Sequence, residues 1–293
     1  YSFPDFDLFV DLERAQPGVT LIEYNPWGNI TEFGLNMALI GLDNEGQVVF
    51  FYKPNANIGG AEPTPQGNFI SALPTVGGAL EFDILGNTIN KWKGTIVSDF
   101  FPEESSEGAK VLEPGELEFI QIHHEVFAMS NGNYLALSGA YHSIDPELRQ
   151  SLCPGDENEW KVVSDLIIEF NSDGEILRTW DLWDVISFEE IPTDAICSTG
   201  GIRASEIIRD WTHANAIIYD EKRDAILISS RHTEQVIAFD HLDELGHQSS
   251  LRWILGQKGT LPLEGEPFYH AHAVELQSDG SILLYDNGNN RPD

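Results

Sequence analysis

An all-β fold of the β-propeller class is predicted by the 293-residue sequence, on three observations: two hairpin signatures that recur along the chain, and few helical periods between them. The first signature is a polar turn with Gly leading into an apolar strand. It stands at Pro65-Gln66-Gly67-Asn68-Phe69-Ile70, Ser130-Asn131-Gly132-Asn133-Tyr134-Leu135 and Ser278-Asp279-Gly280-Ser281-Ile282-Leu283. Gly supplies the positive φ that tight turns demand, and Asn-Gly or Asp-Gly between apolar runs signals a type I′ hairpin. The second signature is Leu or an aromatic residue, then Asp or Asn, then Gly, often followed by Trp. It appears at Leu42-Asp43 to Gly46, at Phe82-Asp83 to Gly86 with Trp92, and at Phe170-Asn171 to Gly174 with Trp180. A degenerate copy is Phe239-Asp240 with Trp253.

Alternating the two signatures produces four-stranded sheets, which is how successive propeller blades read in sequence. Four to five blades centre near residues 45, 80, 150, 230 and 285, all within one domain spanning 1–293. Loops at 95–118, 140–160 and 184–210 separate them and carry the chain's short helical segments, such as Ser205 to Trp211. A sandwich or barrel uses similar strands and is the competing architecture. The last blade reads as incomplete, because Ile282-Leu283-Leu284-Tyr285-Asp286 is followed only by a polar stretch. A propeller must close to hide its strand edges, so a further segment or a second copy is expected to complete the ring.

The 16 Lys and Arg face 48 Asp and Glu, a formal charge of −32. Such a field repels nucleic acid and anionic membranes, which excludes both as partners. It also destabilises the fold by self-repulsion, which salt relieves over a Debye length of about 8–10 Å; a salty periplasmic or secreted setting is therefore expected. No apolar run approaches the roughly 20 residues of a membrane span. Cys153 and Cys197 lack metal-site spacing and both fall in Gly-containing loops, which leaves open whether they are bonded or free.

Three histidines occupy matching positions. His124 precedes Gly132 by eight residues and His272 precedes Gly280 by eight, in the pattern His-x-Val-x-x-x-x-x-Gly. His213 opens the equivalent strand in Thr212-His213-Ala214-Asn215-Ala216. Innermost strands converge on a propeller axis, so three imidazoles at their starts face one another across the channel mouth. With the following turn centred on Lys222, antiparallel pairing sets His213 opposite Arg231. The same reasoning sets Tyr285 near His272 and Gly139 near His124, while Asn215, two residues from His213, projects to the same side. His123 and His270 compete with His124 and His272 for the site. His142, His232, His241 and His247 read as solvated. An imidazole trio could bind zinc or copper, but a guanidinium opposes a dication and suits an oxyanion. The expected site is free of metal and cofactor.

The string Asp210-Trp211-Thr212-His213-Ala214-Asn215-Ala216, with Arg231 in Ser229-Ser230-Arg231-His232, resembles the bacterial aryl-sulfate sulfotransferases. So do His124 ahead of Ser130-Asn131-Gly132-Asn133-Tyr134-Leu135 and His272 ahead of Leu284-Tyr285-Asp286-Asn287-Gly288-Asn289-Asn290-Arg291. The resemblance runs from about residue 36 to the end and is strongest from 120 onward. It implies a six-bladed propeller that moves a sulfuryl group from a phenolic sulfate ester to a phenolic acceptor without a nucleotide sulfate donor. It further implies that His272 is transiently sulfated, that His124, His213 and Arg231 hold the sulfuryl oxygens, and that Asn215 is a supporting donor. The family's N-terminal β domain, final blade and closely spaced cysteine pair are not evident, so its donor-stacking aromatic residues have no counterpart to carry over. A non-catalytic scaffold propeller and a metal-dependent hydrolase are the competing functions.

Overall fold

A computed structural model describes residues 9–11, 17–24, 38–54, 58–73, 77–94, 116–117, 121–188, 196–197, 201–203, 206–242, 251–256 and 258–292. Among the described residues five sheets, mostly antiparallel, follow one another along the chain. The first holds β1 (Thr20–Tyr24), β2 (Ala38–Leu42) and β3 (Val48–Tyr52). The second runs from β4 (Gly59–Pro63) through β5 (Phe69–Leu73), β6 (Gly78–Phe82) and β7 (Thr88–Gly94), with β8 (Glu116–Leu117) added in parallel. The third is built on β9 (His123–Ala128), β10 (Tyr134–Ser143), β11 (Trp160–Phe170) and β12 (Ile176–Asp181). The long β11 also pairs in parallel with β14 (Glu206–Asp210), which carries β13 (Gly201–Arg203) outside it. The fourth holds β15 (Ala214–Asp220), β16 (Ala225–Ser230), β17 (Gln235–Asp240) and β18 (Leu251–Gly256). The fifth pairs β19 (His272–Leu276) with β20 (Ile282–Tyr285).

The first strands of successive sheets pack side by side, β1 on β4, β4 on β9, β9 on β15 and β15 on β19. Sheets arranged radially about their own first strands are propeller blades, so the predicted fold class stands. Six complete blades are not present among the described residues.

The turn chemistry differs in detail from the type I′ expectation. At Asp43, Thr64, Asp83, Met129, Asn171 and Gln277 the carbonyl accepts from the N–H of a Gly three residues on. Only that Gly has positive φ, 78° at Gly46, 89° at Gly132 and 86° at Gly280. This is a type I turn closed by a Gly bulge. The Asp and Asn side chains hold it: Asp83 Oδ1 accepts from the Leu85 and Asn87 backbone N–H groups at 2.9 and 2.8 Å.

Among the described residues two short helices fall in the loops. Pro146–Leu152 (α1) starts behind Asp145, whose Oδ1 accepts from Glu147 N at 2.7 Å, and Pro146 suits the first helical position because its missing N–H would be unsatisfied anyway. Leu182–Val185 (α2) is capped by Asp181. The helix expected near Ser205 to Trp211 is instead strand β14: Ile207 and Ile208 are β-branched, and β11 offers a free edge for them. Cys153 and Cys197 are joined by a disulfide. No described helix is long and apolar enough to cross a membrane.

Blades are fastened by a repeated buried glutamate. Glu81 accepts from Asn68 and Asn90 of its own blade and from Tyr134 Oη of the next, each at 2.8 Å. Glu169 accepts from Asn133 at 2.6 Å and Arg178 at 2.8 Å of its own blade, and from His241 Nε2 of the next at 2.9 Å. His241 was expected to be solvated, but it is 5 % exposed, with Trp180 and Tyr219 against its ring.

Candidate active site at the propeller axis

Where the inner strands of the second to fifth sheets meet the axis, the hairpin register breaks. β4 slips at Gly60, β9 between the pairs Ala136–Val126 and Leu137–His123, β15 at Asn215, and β19 between His272 and Glu275. Bulges redirect side chains and concentrate beside active sites. His124 and His213 take the left-handed conformation, with φ of 56° and 49°. A non-Gly residue in that region costs on the order of 1 kcal/mol, and the surrounding pairing must enforce it.

The bent backbones bring the three predicted imidazoles together. The ring of His124 lies 5.2 Å from that of His213 and 5.9 Å from that of His272, centre to centre. Arg231 N donates to the His213 carbonyl at 3.1 Å, and Tyr285 pairs with His272, both as the hairpin arithmetic places them. Gly139 does not pair with His124; the bulge absorbs His124 and Glu125, and His123 pairs with Leu137. Asn215 is buried, its Nδ2 donating to the Ala271 carbonyl at 2.9 Å while its Oδ1 accepts from Ser229. It thereby fixes the backbone immediately before His272. His270 Nδ1 donates to the Asn289 carbonyl at 2.9 Å, which commits that nitrogen outside the trio.

Protonation separates the three rings. Burial, then the neighbouring His123, His213 and His272, hold His124 well below the ordinary imidazole range. Burial, His213 and Arg231 lower His272 as well. His213 moves the other way: burial opposes its charge, but the carboxylate of Asp210, 2.6 Å from Nδ1, outweighs burial and raises it. His213 is thus the member that holds a proton most readily, and its Nδ1–H is committed to Asp210, leaving Nε2 for chemistry.

Asp210, Asp165 and His232 escaped the sequence reading, and His123, expected only as a rival of His124, joins them. Asp210 stands three positions before His213, a spacing that puts them on opposite faces of a regular strand; the crossover from β14 to β15 folds them together. Asp165 anchors that crossover, its Oδ2 accepting from Ala214 N at 2.7 Å and from Thr212 Oγ1. His123 lies against Asp165, 3.2 Å from Nε2 to Oδ1. His232 was expected in solvent, yet its side chain is buried with the ring 4.6 Å from His213, and burial pulls its pKa down to about 4. His142, also expected in solvent, stacks on Trp183 and reaches Asp181 at 3.0 Å. His247 lies outside the described residues.

Asp210, His213 and His232 bring three ligand atoms within 4.8 Å of one another. Hydrogen bonds occupy both imidazole Nδ1 atoms, to Asp210 Oδ2 and to the Asp210 carbonyl, and Arg231 adjoins His232 in the chain. Both rings are thus bonded to Asp210, and a dication at their Nε2 atoms would meet the charge of Arg231, so the trio reads as a hydrogen-bonded group. Beneath the histidines a cavity of about 480 Å³ is lined by His123, His124, His272, Asn215 and four glutamates, Glu23, Glu62, Glu125 and Glu275. Burial pushes Glu62 up to about 7 and Glu125 up to about 8, so near neutrality Glu125 is largely and Glu62 about half protonated.

The sequence profile of the arylsulfotransferase (ASST) family matches residues 13–293. The chain belongs to that family. Over 225 residues it is 23 % identical to the arylsulfate sulfotransferase AssT of Lelliottia amnigena, covering 59 % of this chain and 35 % of that protein. Over 181 residues it is 23 % identical to the protein of that name from Escherichia coli strain CFT073, covering 44 % and 29 %. This arylsulfotransferase-family chain therefore spans about a third of the length of those relatives. Among solved structures, a luciferin-regenerating enzyme aligns over 84 % of this chain and 61 % of its own, with TM-score 0.42 and 12 % identity. Virginiamycin B lyase from Staphylococcus aureus aligns over 85 % and 56 %, with TM-score 0.39 and 10 % identity.

Proposed function

We propose that this protein transfers a sulfuryl group from a phenolic sulfate ester to a second phenol through a sulfohistidine, with no nucleotide donor. The observation that carries the reading is the convergence of three imidazoles at the axis, one of them bonded to Asp210, beside Arg231. The lone pair of neutral His272 attacks sulfur, and the bond from sulfur to the aryl oxygen breaks. His213, cationic through Asp210, gives its Nε2 proton to the departing phenolate. In the second half the acceptor phenol returns a proton to His213, its oxygen attacks sulfur, and the bond from sulfur to nitrogen breaks. Arg231 and His124 hold the peripheral oxygens, where charge resides in a loose transition state. The disulfide and the acidic surface support a periplasmic or secreted setting.

The test is transfer from a chromogenic aryl sulfate with and without an added phenol. Release that rises with phenol and yields the acceptor's sulfate ester supports the reading; release by neither route ends it. In the active protein Arg231→Ala is expected to reduce kcat/KM by about 10²–10³, the usual effect of losing one oxyanion donor.

The glutamates of the cavity make a separate prediction. Glu62 and Glu125 are neutral below about 7 and 8, so raising the pH through this range places negative charge in the cavity that the anionic ester enters. Donor KM should rise roughly 3–10-fold between pH 7 and 9, a repulsion of order 1 kcal/mol between partly screened charges. Glu125→Gln should flatten most of that rise. A donor KM independent of pH in the unsubstituted protein would remove this role.

A further inference from the structure

Consecutive side chains of a regular strand point to opposite faces. His123 and His124 do not: the bulge in β9 and the left-handed φ of 56° at His124 turn both rings to one side, with Nδ1 2.9 Å from Nδ1. Two imidazole nitrogens that close share one proton, since two lone pairs or two N–H groups would repel.

The far end of the pair is also fixed. His123 Nε2 faces the Asp165 carboxylate and the Ser138 carbonyl, each at 3.2 Å. Both are acceptors, so Nε2 carries hydrogen. Asp165 is held in place by Ala214 N and Thr212 Oγ1, with its side chain 6 % exposed. Two arrangements of the pair follow once any added proton sits on the ring that faces a carboxylate. With the pair neutral, His123 Nδ1 is a lone pair, His124 donates its Nδ1–H to it, and His124 Nε2 is bare. With one more proton, His123 is a cation against Asp165, its Nδ1–H donates to His124, and His124 carries its hydrogen on Nε2.

We propose that His123 and Asp165 are positioning residues that decide whether His124 offers the sulfuryl site an N–H or a lone pair. This deepens the sulfuryl-transfer reading and depends on it for its consequence: a sulfuryl oxygen needs the N–H, so donor binding draws one proton into the pair. The added proton belongs on His123, the ring that faces a carboxylate. His124 faces His213 and His272 on the neighbouring blades, with Asp210 and Arg231 behind them, while Glu125, Glu62, Glu275 and Glu23 line the cavity on the other side.

Nitrogen-15 spectra of the histidine rings read the arrangement directly, in the intact protein and in His123→Gln. Glutamine can accept the His124 Nδ1–H but cannot become a cation. At high pH the intact protein is expected to show His124 protonated at Nδ1, and on acidification that proton should move to Nε2 as His123 becomes charged. In His123→Gln the switch at His124 should vanish, and donor KM should rise about 10–100-fold, the worth of one hydrogen bond to a charged group. His124 protonated at Nε2 in the neutral protein, or a switch that persists in His123→Gln, overturns the proposal. Absence of any aryl-sulfate turnover in the intact protein would instead overturn the sulfuryl-transfer reading and leave the ring spectra to judge the relay alone.

Discussion

His272→Ala is expected to abolish aryl-sulfate cleavage, a loss of at least about 10⁴-fold, and to remove the N-sulfo adduct that the intact protein forms with donor alone. The ring is suited to attack because burial, His213 and Arg231 keep it neutral, and no described residue takes a hydrogen bond from it or gives one to it. Its neighbours are otherwise engaged: His213 by Asp210, His124 by His123, His270 by the Asn289 carbonyl. Intact mass and peptide mapping after donor-only incubation place the adduct. Its appearance on His124 or His270, or turnover with no adduct at all, would require another nucleophile. Because β19 carries His272 at its first position, where it pairs with the exposed Tyr285, the substitution leaves the core intact.

What the sequence made legible was local. Gly turns are written within four or five residues, so the hairpins at Gly46, Gly67, Gly86, Gly132, Gly174 and Gly280 could be placed without knowing their neighbours. The pairings of His213 with Arg231 and of His272 with Tyr285 followed from turn positions alone. The pairing of His124 with Gly139 failed because a bulge that absorbs two residues has no signature in composition. Asp165, Asp210 and His232 became site residues through the β14 to β15 crossover between blades, a contact that strand periodicity cannot foresee. His241 reads as solvated because nothing within its own hairpin reveals the glutamate waiting on the preceding blade.

That glutamate sets the largest stability effect. Burial alone would raise the Glu169 pKa, but bonds from His241, Asn133 and Arg178 outweigh it and bring it from an ordinary 4.5 down to about 2. His241 meets Glu169 through Nε2 and Asp224 through Nδ1, so both nitrogens carry hydrogen and the ring is a cation; the two carboxylates overcome burial and raise its pKa. Removing one partner of a buried ionic group strands the rest, so Glu169→Ala is expected to cost about 3–5 kcal/mol. For a chain of this size that lowers Tm by roughly 10 °C. The pH dependence has a definite sign. Glu169 has a depressed pKa, so its contribution is complete above about 4.5 and is lost as pH falls toward about 2. His241 has a raised pKa, so its contribution is complete below about 6.5 and is lost as pH climbs through its folded value. Urea unfolding of the intact protein and Glu169→Ala should therefore differ most between about pH 4.5 and 6.5 and converge on either side. A difference that stays constant from pH 3 to 9 would mean that Glu169 contributes packing rather than charge, and the joint between the third and fourth blades would then need another explanation.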